Sequence, residues 1–165
     1  MTSLDYEKRL KRLESVEEIK QLQAHYINCL LTTDWDSLAG CFTQDAIVDI
    51  NAGRVQGRGE IFNLFKENIS RVHIGQEGPF VVHPIISVDG ELAKGNWLLY
   101  LQFARPRKLE GFELMFTTAD APDWMQGFYE VDYRRVNDQW KISSLRWRTR
   151  LASPTTSVKA EFIRE

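Results

Sequence analysis

The sequence predicts an α+β domain, a long curved antiparallel sheet wrapped around helices gathered on one side. Three observations predict it. The N-terminal third repeats its apolar residues at helical spacing. The second half is strand-like and is punctuated by tight-turn dipeptides. No linker, repeat or low-complexity segment interrupts the chain, so its 165 residues are expected to form one domain over 1–151 and a C-terminal tail at 152–165.

Residues 4–14 carry Leu4, Leu10 and Leu13 among many charges and read as a shorter leading helix. Ser15-Val16-Glu17-Glu18 has the form of a capping box, so the main helix is expected to begin there. Ile19, Leu22, Tyr26, Cys29 and Leu30 then form one apolar stripe. Thr32-Thr33-Asp34 ends that helix, and Thr33 or Asp34 caps a short one holding Trp35, Leu38, Ala39 and Phe42. Residues 46–50 read as a strand, Asn51-Ala52-Gly53 as a turn, and Gly57-Arg58-Gly59 as the lead into a third helix bearing Ile61, Leu64, Phe65 and Ile69. Two hairpins follow: 80–88 with 91–104 around Asp89-Gly90, and 125–136 with 140–151 around Asn137-Asp138. Between them, residues 105–122 form an irregular stretch suited to a lid or a dimer arm. A curved sheet wrapped around helices leaves a cone, and an apolar pocket is expected at its wide end.

Composition excludes several classes. The formal charge of −2 argues against nucleic acid as a partner, because phosphate affinity needs a net basic face. No apolar run approaches the roughly 20 residues of a membrane span, and residues 1–12 lack the apolar stretch of a secretory signal. Cys29 and Cys41 have no zinc or redox-motif spacing and read as reduced thiols, so a cytoplasmic location is expected. No metal-ligand motif, glycine-rich phosphate loop or nucleophile elbow is present, and no cofactor is expected.

Four segments carry a resemblance to a known family. They are Gln23-Ala24-His25-Tyr26 through Asp34-Trp35-Asp36-Ser37-Leu38 and on to Phe42 and Asp45-Ala46; Gly57-Arg58-Gly59-Glu60-Ile61; His83-Pro84 with Ile86 and Val88-Asp89-Gly90; and Tyr129-Glu130-Val131 with Trp140-Lys141-Ile142. As an ordered set over roughly residues 13–150 they resemble the nuclear transport factor 2-like superfamily, in its SnoaL-like (polyketide cyclase) branch. The resemblance implies a cystatin-like cone and points to dehydratase, isomerase or cyclase chemistry, or to none, since the fold hosts all of these. Scytalone dehydratase-like and bile-acid dehydratase-like relatives place a Tyr and an Asp on the long helix and a His on a strand, the His–Asp pair serving as base and acid. Tyr26 matches the helix Tyr, but the Asp position falls on Leu31 and the His position on Pro79. Ketosteroid isomerase, similar in fold, would place its oxyanion-hole groups on Tyr26 and Asp132 and its catalytic Asp on Ile50, beside Asp49.

Tyr26 is either a core residue or a donor aimed into the pocket, and His83 either a strand-end side chain or a base of suitable pKa. These two are the expected catalytic pair. Arg146, which resembles the strand Arg that holds a substrate carboxylate in some relatives, and Asp132 are expected to orient substrate; the alternative is that the last-strand arginines pair across strands with Glu130 and Asp132. Trp97 and Tyr100, on opposite apolar faces of one strand, are the aromatic candidates for substrate contact. His25 is expected on the rim and His73 in a loop. The expected function is a cofactor-free lyase or isomerase acting on a hydrophobic cyclic small molecule; the alternative is a non-catalytic binding or dimerisation protein. A sheet apolar on both faces is expected to pack against a second copy, giving a homodimer.

Overall fold

The computed structural model describes residues 3–70, 77–103, 122–154 and 161–162. His73 and nearly all of the 105–122 stretch lie outside them. The N-terminal segment is one helix, α1 (Ser3–Thr32), rather than two. Ser15 is not its cap: it is buried in mid-helix, and no Gly or Pro between Leu4 and Leu30 offers a place to stop. The stop comes at Thr33, whose φ of 56° is the left-handed conformation of a helix C-terminus. Asp34 then caps α2 (Trp35–Gly40) by accepting a hydrogen bond from the Ser37 backbone N–H at 3.1 Å. Hydrogen bonding to Ser37 holds the Asp34 carboxyl below its ordinary range.

β1 (Phe42–Ile50) folds back on β2 (Gly53–Gln56). α3 (Arg58–Asn63) follows and continues as a π-helical segment, Leu64–Ile69, where one regular helix was expected. Arg58 ties this unit to the sheet by donating from Nε to the Phe42 carbonyl at 3.1 Å. Two hairpins complete the sheet: β3 (Glu77–Asp89) with β4 (Leu92–Phe103), and β5 (Pro122–Val136) with β6 (Gln139–Pro154). The second turns at Asn137 and Asp138, with φ of 50° and 61°, the pair of left-handed residues that a two-residue hairpin requires. A two-residue strand, β7 (Glu161–Phe162), lies on β6 at Leu151 and Ala152.

The strand order is β2-β1-β6-β5-β4-β3, with β7 beside β6. The sheet is mixed, not wholly antiparallel, because β1 runs parallel to β6. Parallel pairing needs a long crossover, and here α3 with both later hairpins separates the two strands in sequence. One face of the sheet curls over α1 and buries Tyr129, Val131 and Tyr133 of β5 with Ile142, Leu145 and Trp147 of β6. Ser143 is an extra residue in β6: Asp132 pairs with Ser144 and Tyr133 with Ile142, and the Ser143 hydroxyl donates to the Asp132 carbonyl at 3.1 Å. That bulge moves Ile142 from the arginine face, where strict alternation would put it, to the core. Among the described residues no helix is long and apolar enough to cross a membrane.

Candidate functional site

The centre of the cone is aromatic and closed. Tyr26 is 0% exposed, with Phe42, Phe65 and Tyr129 meeting it edge-on at 5.8, 6.3 and 6.2 Å between ring centroids. Its hydroxyl makes no hydrogen bond of ordinary geometry. Burial first, and the nearby Tyr129 second, push that hydroxyl's pKa well above the usual tyrosine range, so it acts as a donor and stays neutral. One helical turn earlier lies a buried relay: the Trp97 indole donates to the Tyr133 hydroxyl at 2.9 Å, and Tyr133 donates to Gln23 Oε1 at 2.9 Å. Gln23 Nε2 finds no partner. The buried Gln on the apolar stripe was the signal available in the sequence for this relay. Cys29 and Cys41 are free and buried; burial raises both thiols, Cys41 to about 12, which leaves them unreactive as thiolates near neutral pH.

Register aligns Pro79, Leu101, Met125 and Ala152 across four strands. Alternation puts Leu101 and Met125 on the same face as the buried Leu99 and Tyr129, yet both are only partly buried. This row is the inner rim of the cone, and no titratable side chain belongs to it. Pro79, where the resemblance would place a His, is buried within the row, while Leu31, where it would place an Asp, is 47% exposed. Ile50, at the isomerase's Asp position, packs against the core, and Asp49 turns away to lie 3.8 Å from Arg148.

The other predicted residues are not gathered around Tyr26. His83 is exposed, on the outermost strand, at a break in register between Val82 and Ile85, with a left-handed φ of 52°. The Tyr26 hydroxyl is buried and has no hydrogen-bond partner, so the pair expected to share acid–base work is not hydrogen-bonded. Trp97 lies inside, in the relay, and Tyr100 outside, stacked between Phe80 and Trp124 at 5.1 and 5.6 Å. Asp132 and Arg146 do come together, but on the outer face. With Ser87, Lys94, Asn96 and Glu130 they line a groove of about 380 Å³. Arg146 lies 3.9 Å from Glu130, the cross-strand pairing that was the alternative to substrate contact. His25 approaches Cys29 with its Nε2 at 3.6 Å from the thiol sulfur. Among the described residues no group of three or more His, Cys, Asp or Glu side chains is placed to hold a metal ion.

A family model described as "SnoaL-like domain" matches residues 11–146. The chain belongs to the SnoaL-like family. The fold agrees with that of several solved structures. A variant of Rv3472, a protein of unknown function from Mycobacterium tuberculosis, is 23% identical over 96% of this chain and 83% of its own, with a TM-score of 0.68. An NTF2-like protein with a cystatin-like fold from Novosphingobium aromaticivorans is 18% identical, covers 88% of each chain and has a TM-score of 0.69. The hexachlorocyclohexane dehydrochlorinase LinA-type3 from Novosphingobium barchaimii LL02 is 18% identical over 95% of this chain and 99% of its own, with a TM-score of 0.71. The SnoaL-like match thus takes in most of the chain, and the row Pro79–Leu101–Met125–Ala152 within the described residues is apolar.

Proposed function

We propose that this SnoaL-like protein binds a small, largely apolar, cyclic compound at the rim of the cone, with Tyr26 as hydrogen-bond donor to one oxygen of the ligand. The observation that carries the reading is the row Pro79–Leu101–Met125–Ala152: it offers apolar contact on the sheet face that also bears Tyr129, which meets the Tyr26 ring, and it contains no group able to take a proton. Elimination needs a base near the reacting carbon. His83 is exposed on the edge strand, and Leu31 and Pro79 carry no proton-transfer group. Binding without turnover is therefore the reading favoured here, in a protein expected to work in the cytoplasm with no cofactor.

Naphthol, an apolar bicycle with one hydroxyl, is a suitable probe. It is expected to quench tryptophan fluorescence saturably, and Leu101→Arg is expected to weaken binding at least tenfold with an unchanged circular dichroism spectrum. Absence of saturable quenching sinks the proposal. A second reading, a cofactor-free lyase, is favoured by the likeness to the dehydrochlorinase. Chloride release from hexachlorocyclohexane, stoichiometric with its loss, would decide for the lyase.

The outer face supports a homodimer. The Phe80–Tyr100–Trp124 stack supplies apolar area, and neighbouring Glu130, Asp132, Lys94 and Arg146 can exchange partners across a two-fold axis. Sedimentation is expected to show a dimer that Tyr100→Glu converts to monomer at low concentration; a monomeric wild type refutes it.

A further inference from the structure

The first three turns of α1 stand clear of the domain. Residues 3–14 are all exposed, and burial begins at Ser15. Within this arm Tyr6, Leu10 and Leu13 are 58%, 57% and 66% exposed. At about 100° per residue they fall within roughly 60° of one another, so they make a stripe. The stripe is not an extension of the one that faces the sheet: Ile19, Gln23, Tyr26 and Leu30 lie roughly half a turn round the same helix. A helix cannot present both stripes to its own sheet at once. Spacings of four and then three residues are those of a short helix–helix seam.

The charges are ordered along the arm. Its first half, 3–8, holds Asp5, Glu7 and Lys8 and is acidic on balance; its second half, 9–14, holds Arg9, Lys11, Arg12 and Glu14 and is basic on balance. Two such arms side by side in the same direction set like charges together. Reversed, each sets its acidic end beside the other's basic end, with Tyr6 and Leu10 of one against Leu10 and Tyr6 of the other. We propose that the arm is a self-association surface, pairing antiparallel with residues 3–14 of a second copy. The contact is small, far below the roughly 1,200 Å² of a standard stable interface, so the association is weak and concentration dependent.

The test uses the full-length Tyr100→Glu protein, which removes the outer-face contact and leaves the arm to be read alone. Sedimentation velocity is expected to show self-association as concentration rises toward about 1 mM. Adding Leu10→Asp abolishes it. Adding Lys11→Glu with Arg12→Glu makes the arm acidic on balance, with Lys8 and Arg9 its remaining cations, and weakens the association at least tenfold. Mixing that acidic-armed chain with one carrying Asp5→Lys and Glu7→Lys restores association, now between unlike chains. These residues are exposed and outside the core, so each variant folds, and the near-ultraviolet spectrum verifies it. Self-association untouched by Leu10→Asp or by the charge reversals, or none up to that concentration, overturns the arm pairing. Either result leaves the outer-face dimer and the ligand reading to stand or fall on their own tests.

Discussion

Tyr26→Phe is expected to fold at least as stably as the wild type and to bind naphthol at least tenfold more weakly, whereas Tyr26→Ala is expected to lose about 3–5 kcal/mol of stability. The two substitutions separate what the ring does from what the hydroxyl does. The ring fills the centre of the cone and meets three other aromatic rings edge-on; removing it opens a cavity that Phe42, Phe65 and Tyr129 cannot collapse into without leaving those contacts. The hydroxyl makes no ordinary hydrogen bond in the folded chain, so deleting it relieves a buried polar group. Its role is then visible only when a ligand oxygen reaches it. Denaturant unfolding of both variants, beside naphthol titration of Tyr26→Phe, checks the pair. A Tyr26→Phe protein that binds normally would remove Tyr26 from the site.

Gly127→Ala carries the second large effect, a loss of more than about 3 kcal/mol or failure to fold. A Cβ at this position would lie 2.0 Å from the Arg148 carbonyl oxygen and 3.0 Å from the Thr149 Cα, which are backbone atoms of the neighbouring strand. No rotamer change relieves such a contact; β5 and β6 would have to separate at the register shift between Gln126 and Gly127. Gly95→Ala is the instructive contrast. Its Cβ meets the Trp97 and Tyr133 side chains at 2.9 Å, groups that can shift at the cost of the Trp97–Tyr133–Gln23 relay. Thermal unfolding of the two variants should therefore rank Gly127→Ala as the more damaging, and the reverse order would mean that the strand pairing yields more readily than the relay.

The fold was largely legible in the sequence because its signals are local. Asn137-Asp138 announces its hairpin and Asp34 its helix, while the Asp89-Gly90 signal is one residue early: Asp89 is still in β3, paired with Leu92, and the chain turns at Gly90 and Glu91. What was not legible depends on what happens between strands. Alternation sorts β5 into Glu130, Asp132 and Arg134 against Tyr129, Val131 and Tyr133, but it does not say which set meets the helices. It also fails wherever a strand gains a residue, as at Ser143, which carries Ile142 to the core, and at His83, which leaves the inner face. The row Pro79–Leu101–Met125–Ala152 is scattered over 73 positions of sequence and exists only through register. Ser15 misled for the opposite reason. Its capping box is locally sound, yet a helix already running through it has no N-terminus to cap.

The break in β3 at His83-Pro84 bears on whether further strands can add to the edge of the sheet. Among the described residues β3 is the last strand in the order, so its outer side offers unpaired N–H and C=O groups beside exposed Phe80, Val82 and Ile85. A continuous strand of 13 residues with that composition is a template onto which further chains can add. The left-handed turn at His83 divides it, Pro84 removes one N–H donor, and neither remaining half is long enough to recruit a partner strand firmly. The same local kink that takes His83 out of the cone thus gives the sheet a blunted border against fibrous growth.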